Sequence, residues 1–108
     1  PGKGSAGRLQ PDFNRRREPL EAYPLETIRM VGTLQRGRAM YALLKTNDRN
    51  VFQVREGNYA GQNFGVIMSI SESELRLKEL MQDSAGEWTE RTSTLFLEDA
   101  DVKQEQKK

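Results

Sequence analysis

The sequence predicts an all-β fold, a small β-sandwich of about six to seven short, mainly antiparallel strands. The chain has 108 residues, which is enough for a single hydrophobic core. Short apolar runs alternate with turn-forming residues about every 8 to 12 positions, the spacing typical of a small sandwich or barrel. Only 35% of the residues are hydrophobic and 31% are charged, so part of the chain is expected to lie outside that core.

Composition divides the chain into three segments. Residues 1–22 contain few large apolar side chains and carry five basic against three acidic residues, so we predict a flexible basic arm that begins like a linker. Residues 23–98 hold the apolar runs and form the predicted sandwich. Residues 99–108 are almost wholly polar and are predicted to be disordered. We expect the chain to be a soluble, monomeric fragment of a longer protein.

Three strands are predicted for the first half of the sandwich. Arg29 to Gln35 forms the first, and the turn at Arg36 to Arg38 leads into the second, Ala39 to Lys45. Thr46 to Asn50 is rich in residues that tolerate turn geometry and precedes the third strand, Val51 to Arg55.

The second half begins with a glycine-rich stretch. Glu56 to Gly65 contains three glycines and two asparagines and predicts a structured loop. Val66 to Ser71 is apolar and β-branched, which favours a strand. Trp88 to Arg91 and Thr94 to Glu98 are the last strand candidates.

The segment Leu75 to Met81 fits two structures. Ser71 and Glu74 match a helix capping box, which favours a helix. The alternation of leucines with basic residues inside the segment favours a strand. We prefer the strand because Asp83 to Gly86 would then close a hairpin onto Trp88.

The residue inventory argues against catalysis. The chain contains neither His nor Cys, which excludes Ser-His-Asp and Cys-His nucleophile systems and the usual transition-metal ligand sets. Carboxylate pairs are expected only in turns, without the burial that tunes acidity. Gly57 to Gly61 lacks the Gly-Lys-Ser/Thr ending of a phosphate loop. We therefore predict no catalytic residues, no metal site and no cofactor.

Arg15 to Arg17 raises one alternative, a small nucleic-acid-binding β-barrel with a basic N-terminal arm. Residues 23–97 carry nine basic and nine acidic residues, so the predicted fold itself lacks the positive charge that nucleic-acid affinity requires. The chain is accordingly expected to bind no nucleic acid.

Three stretches carry a resemblance to a known family. Tyr23 to Leu34, Gly57 to Gly65 and Gly86 to Arg91 closely resemble the PilP family of type IV pilus assembly lipoproteins. The resemblance covers about residues 20–98, the whole of the predicted sandwich. The lipidated Cys near the N-terminus of the family is absent from this sequence, so lipidation is expected only upstream of it.

The resemblance implies a non-catalytic periplasmic β-sandwich, similar to the homology-region domain of the type II secretion inner-membrane component. In the family, the extended region before the sandwich binds the inner-membrane proteins PilN and PilO. The sandwich contacts the periplasmic N-domains of the secretin PilQ. The implied location is the periplasm, at the inner membrane through the lipid anchor.

The predicted secretin-binding surface is the first strand, because it follows a flexible arm and a proline and is therefore expected at a sheet edge. An edge strand offers unpaired main-chain groups for strand addition by a partner. The residues predicted to bind the partner are Leu25, Ile28, Met30 and Val31, together with Tyr59 and Phe64 from the glycine-rich loop.

Overall fold

The computed structural model describes residues 9–98, and it folds them into two antiparallel β-sheets preceded by two short 3₁₀ helices. The helices are Pro19–Ala22 and Leu25–Thr27. The strands are β1 (Arg29–Arg36), β2 (Ala39–Lys45), β3 (Val51–Val54), β4 (Tyr59–Ala60), β5 (Gly65–Ile70), β6 (Glu74–Gln82) and β7 (Trp88–Phe96). The predicted all-β class is confirmed.

Each sheet is a meander of strands that follow one another in the chain. The first sheet has the order β1-β2-β3 and the second β4-β5-β6-β7. β1 lies at an edge of its sheet, as predicted. Its start is joined to the other sheet, because Met30 forms a parallel bridge with Leu97 and the Glu98 N–H donates to the Met30 carbonyl over 2.9 Å.

One hydrophobic core lies between the two sheets. Alternation along the strands turns every second side chain inward, so both sheets contribute. The buried apolar residues are Leu20, Ile28, Met30, Ala42, Leu44, Val54, Ala60, Ile67, Leu75 and Leu77. Leu20 belongs to the first 3₁₀ helix, which therefore forms part of the domain.

The ambiguous segment after Ser71 is a strand. Its capping-box serine closes the turn between β5 and β6 instead of starting a helix, because Ser71 Oγ accepts from the Glu74 N–H over 3.2 Å. The two last strand candidates form one continuous strand, β7, which pairs with β6 along its whole length. The glycine-rich loop also contains the two-residue strand β4.

The structure differs from the predicted flexible arm at residues 9–22. Leu20 is only 2% exposed, and the Gly61 N–H donates to its carbonyl over 3.1 Å. The prediction counted apolar side chains and missed that charged residues attach this segment to the sandwich. The remaining parts of the predicted arm and tail, residues 1–8 and 99–108, lie outside the described residues.

Candidate functional site

A strap, residues 9–18, is attached to the domain by one buried ion pair. The Arg15 guanidinium donates to both carboxylate oxygens of Glu21, with Nη2 to Oε2 at 2.6 Å and Nη1 to Oε1 at 3.1 Å. The Glu21 side chain is fully buried and that of Arg15 is 20% exposed. The same guanidinium lies 3.4 Å above the centre of the Tyr59 ring, a cation–π contact.

Glu21 stays ionised in this environment. Burial by itself raises the pKa of Glu21, but hydrogen bonds from Arg15 and from the Glu18 N–H, with the charges of Arg15 and Arg17, outweigh it. The pKa is therefore held below the ordinary value of 4.5. Pairing of this kind keeps a buried carboxylate charged at neutral pH.

Glu18 ties the strap to the glycine-rich loop. Its Oε1 accepts from the Tyr59 N–H over 3.0 Å and from Asn58 Nδ2 over 3.3 Å. Glu18 and Glu21 also form a capping box around the first 3₁₀ helix, with Pro19 at its first position. Side chains before β1 thus cover the main chain of the short edge strand β4.

The strap lies across the outer face of the four-stranded sheet. Between strap and sheet is a groove of about 280 Å³. Its lining combines apolar and aromatic groups with four charged side chains. The lining residues are Leu9, Gln10, Pro11, Asp12, Arg15, Tyr59, Phe64, Val66, Lys78, Leu80 and Glu90.

Three aromatic rings meet around Phe13 of the strap. Phe13 packs edge-on against Phe64 at 5.7 Å and against Trp88 at 6.1 Å, while Phe64 and Trp88 are 6.0 Å apart. The Arg17 guanidinium lies 5.4 Å from the Phe64 ring centre. Phe13 is 65% exposed, so this aromatic cluster is open to solvent on one side. Two arginines of the basic run thus stack on rings of the domain itself.

The glycine-rich loop presents Phe64 through an unusual backbone. Gly61 has φ of +82°, and an added Cβ would lie 3.1 Å from the Leu25 Cβ. Phe64 itself has φ of +55°, a left-handed conformation that is uncommon for a bulky residue. At Gly65 an added Cβ would meet the Ala60 carbonyl at 2.8 Å. Gly61 and Gly65 therefore occupy positions where a larger residue would collide with neighbouring atoms.

A buried carboxylate on β6 holds the other side of this loop. Glu79 is fully buried and accepts from Ser93 Oγ at 2.5 Å, from Arg91 Nη2 at 2.9 Å and from Asn63 Nδ2 at 3.4 Å. The Asn63 carbonyl accepts from the Leu80 N–H over 2.9 Å. The Asn63 side chain and main chain thus both join the glycine-rich loop to β6.

We predict that Glu79 makes stability depend on acid pH. Burial by itself raises its pKa, but hydrogen bonds from Ser93, Arg91 and Asn63 outweigh it, so the folded-state pKa lies below 4.5. A carboxylate whose pKa is lower in the folded state than in the unfolded state stabilises the fold at pH values above its unfolded-state pKa. This stabilisation is lost as the pH falls through the folded-state pKa. When the pH is lowered from 7 into the acid range, the free energy of unfolding should therefore fall less in Glu79→Gln than in wild type. Urea titration at each pH measures this decrease.

The exposed Glu72→Gln in the β5–β6 turn is the matched control, and it should retain the wild-type acid slope. An unchanged slope in Glu79→Gln would show that its carboxylate contributes nothing to the acid response.

The structure does not bring the predicted partner-binding residues to one surface. Ile28 is 3% exposed and Met30 is fully buried, so both belong to the core and the prediction that they lie on an accessible surface is wrong. Leu25 is half-buried against the Gly61 turn. Of the four positions before and within β1, Val31 is the exposed one, at 37%.

Tyr59 lies on β4 of the other sheet, and Phe64 directly precedes β5 of that sheet. Both line the groove beneath the strap, and both are half-buried under arginine side chains. The predicted set therefore separates into Val31 at the β1 edge, Tyr59 and Phe64 under the strap, and buried residues between the sheets.

Sequence reasoning missed the charged residues that attach the strap and the loop. Two of them carried a signal: Glu18 and Glu21 flank Pro19 at capping-box spacing. Glu79 continues the buried series of Leu75 and Leu77, so strand alternation already placed a carboxylate on the apolar face. Arg15 carried no signal beyond its charge.

Within residues 9–98, no group of three or more acidic side chains is arranged to hold a metal ion. Over the same residues, no helix has the length and apolar character needed to cross a membrane. The described features are instead a covered groove, an exposed aromatic cluster and open sheet edges, which are features of binding surfaces.

Comparison with known proteins assigns the fold to a family. Residues 2–97 match the family described as pilus assembly protein, PilP. The chain belongs to the PilP family. The type IV pilus inner membrane component PilP of Pseudomonas aeruginosa is 37% identical over 91 residues, which cover 84% of this chain and 52% of that protein. The chain thus spans about half the length of this PilP relative.

Solved PilP structures share the architecture. A domain of the type IV pilus biogenesis lipoprotein PilP from P. aeruginosa is 39% identical with a TM-score of 0.74, covering 82% of this chain and all of that one. A domain of the Neisseria meningitidis PilP pilot protein is also 39% identical, with a TM-score of 0.66. The match covers 88% of this chain and 83% of that one. The resemblance seen in the sequence is confirmed, and this chain carries the folded PilP domain.

Proposed function

We propose that this PilP domain is a non-catalytic periplasmic docking module of type IV pilus assembly, which links PilN and PilO at the inner membrane to the secretin PilQ. The observation that carries the proposal is the family match over residues 2–97. The related P. aeruginosa protein is named an inner membrane component of the machinery. A small sandwich with exposed edges suits a docking role, because protein partners add strands to such edges.

The β1 edge around Val31 is the part of the predicted secretin surface that remains accessible. Val31 is the extra residue at a register shift, between the Met30–Leu44 and Gly32–Leu43 pairs. Such bulges interrupt pairing and redirect a side chain at a sheet edge. Beyond the Met30–Leu97 bridge, the edge from Val31 to Arg36 is where we place the secretin.

NMR titration of the labelled domain with PilQ N-domains tests this placement. We expect the largest shift changes along β1, and we expect Val31→Glu to weaken binding by about tenfold, because a charge then enters a desolvated contact. The matched control is Val51→Glu, the same substitution at a 55% exposed position on β3, the opposite edge of the sheet. It should bind like wild type.

Two outcomes contradict the proposal at different levels. Equal binding by Val31→Glu and wild type would exclude the β1 edge as the docking surface. A chain that captures neither the secretin N-domains nor the periplasmic regions of PilN and PilO would overturn the linking function itself.

A further inference from the structure

Strand β7 forms a long free edge of the four-stranded sheet. It has nine residues, while β4 at the opposite edge has two and is covered by Glu18 and the first 3₁₀ helix. Among residues 9–98, no main-chain hydrogen bond reaches the outer side of β7 from Trp88 to Phe96. A long unpaired edge is a template for pairing with another strand.

Two hydrogen bonds fix which β7 residues point outward. The Asp83 N–H donates to the Glu87 carbonyl, and the Leu97 N–H donates to the Ser73 carbonyl, each over 2.8 Å. Because bonded and non-bonded pairs alternate in an antiparallel ladder, the odd-numbered residues of β7 bond to β6. The residues that direct N–H and C=O groups to the open edge are Trp88, Glu90, Thr92, Thr94 and Phe96.

The chain itself contains a check on this alternation. Glu98 is the next residue of the outward series, and its N–H donates away from β6 to the Met30 carbonyl on β1. The same bond ends the free edge, because β1 occupies the position beyond Phe96. The free edge therefore runs from Trp88, where the hairpin turn ends, to Phe96.

We propose that β7 pairs antiparallel with β7 of a second copy of this chain, about a two-fold axis at Thr92. The two four-stranded sheets then form one continuous sheet across the dimer. An axis perpendicular to the sheet keeps outward residues opposite outward residues, so the N–H and C=O groups of each strand meet partners.

Side chains favour this register. Pairing about Thr92 places Trp88 opposite Phe96 of the second copy, on the outer face of the sheet. Phe96 is 66% exposed in the single chain, and it would then pack against Trp88 and extend the aromatic cluster with Phe13 and Phe64. Cross-strand aromatic pairs stabilise antiparallel sheets.

Charges also select this register over those shifted toward the start of β7. About Thr92, Glu90 faces Thr94 and Arg91 faces Ser93, so no like charges are opposed. A shift of the axis to Glu90 or to Arg91 would place identical charges directly opposite each other, which is destabilising. The register at Thr92 also uses the whole free edge, because Trp88 and Phe96 are its two ends.

This dimer does not depend on the proposed function. It uses the edge of the four-stranded sheet, whereas the secretin is placed on β1 of the other sheet. It differs from the sequence-based expectation of a monomer.

Sedimentation velocity of the full chain over a range of concentrations tests the dimer. The wild type should shift from monomer to dimer as its concentration rises. Thr92→Pro is expected to raise the dissociation constant at least about tenfold, because proline removes an N–H that points to the open edge. It removes no β6–β7 bond. The matched control, Thr92→Ala, keeps the N–H and should remain within about twofold of wild type.

Amide hydrogen exchange provides a second readout. At low concentration, the amides of Arg91 and Ser93 should exchange slowly and those of Glu90 and Thr92 rapidly. High concentration should protect the amides of Glu90 and Thr92.

If Thr92→Pro does not fold, Phe96→Glu replaces it, since that change only alters an exposed side chain. A wild type that stays a single copy, or a dimer that withstands both substitutions, overturns the proposal. Protection of Thr92 only on addition of PilQ N-domains would also overturn it, by assigning the edge to the secretin.

Discussion

Replacing Met30 with glutamate is expected to unfold the domain. Met30 is fully buried on β1, and the buried charged residues among positions 9–98 are both acidic, so the described core holds no buried Lys or Arg to pair with a carboxylate. An unpaired charge in an apolar core costs more than about 4 kcal/mol. This is a large share of the free energy of unfolding of a typical domain, which is about 5 to 15 kcal/mol. Thermal unfolding followed by circular dichroism should show no cooperative transition at neutral pH.

The neighbouring Val31→Glu is the matched control, because it places the same side chain on the same strand at a 37% exposed position. It should fold like wild type. A Met30→Glu domain with the wild-type melting temperature would mean that Met30 reaches solvent, which would return it to the accessible part of β1.

Replacing Arg15 with alanine is expected to lower the free energy of unfolding by about 3 kcal/mol. The change leaves the fully buried Glu21 carboxylate without its cation. Removal of one partner of a buried pair costs about 3 to 5 kcal/mol, and we take the low end because the Arg15 side chain is 20% exposed. Urea unfolding at neutral pH measures the difference.

Arg16→Ala is the control within the same basic run, because Arg16 is exposed and should change stability by less than about 0.5 kcal/mol. Adding Glu21→Gln to Arg15→Ala should restore part of the loss by removing the buried charge. The predicted flexible arm implied instead that removal of residues 1–19 would leave melting nearly unchanged. Equal stability of Arg15→Ala and Arg16→Ala would support that earlier expectation and contradict the packed strap.

Local pattern was enough to predict most strands. β2 has the predicted bounds, because the Arg36 to Arg38 turn and the polar run after Lys45 both stop the strand. Gly37 adopts φ of +62° in that turn, as a tight hairpin requires. β6 was predicted as a strand from alternation, and alternation also placed Glu79 on the side of Leu75 and Leu77.

The candidate surface was predicted less well, because a strand has two faces and sequence alone does not say which one the second sheet covers. An apolar residue such as Ile28 or Met30 suits either position, facing the core or facing a partner. The bridge between Met30 and Leu97 joins positions that are distant in the chain, and it closes the core over them. Exposure of the neighbouring Val31 follows from a register shift that appears only when β1 pairs with β2.

The sequence by itself determined the all-β class, the succession of strands and turns, and the resemblance to the PilP family, because these depend on local periodicity and on motifs contiguous in the chain. The tertiary structure alone decided that residues 9–22 pack on the domain. Their attachment depends on Arg15 stacked on Tyr59 and on Glu18 bound to the Tyr59 N–H, across more than forty positions of chain. Hydropathy does not register such contacts, since it counts the same charged side chains as solvent-exposed.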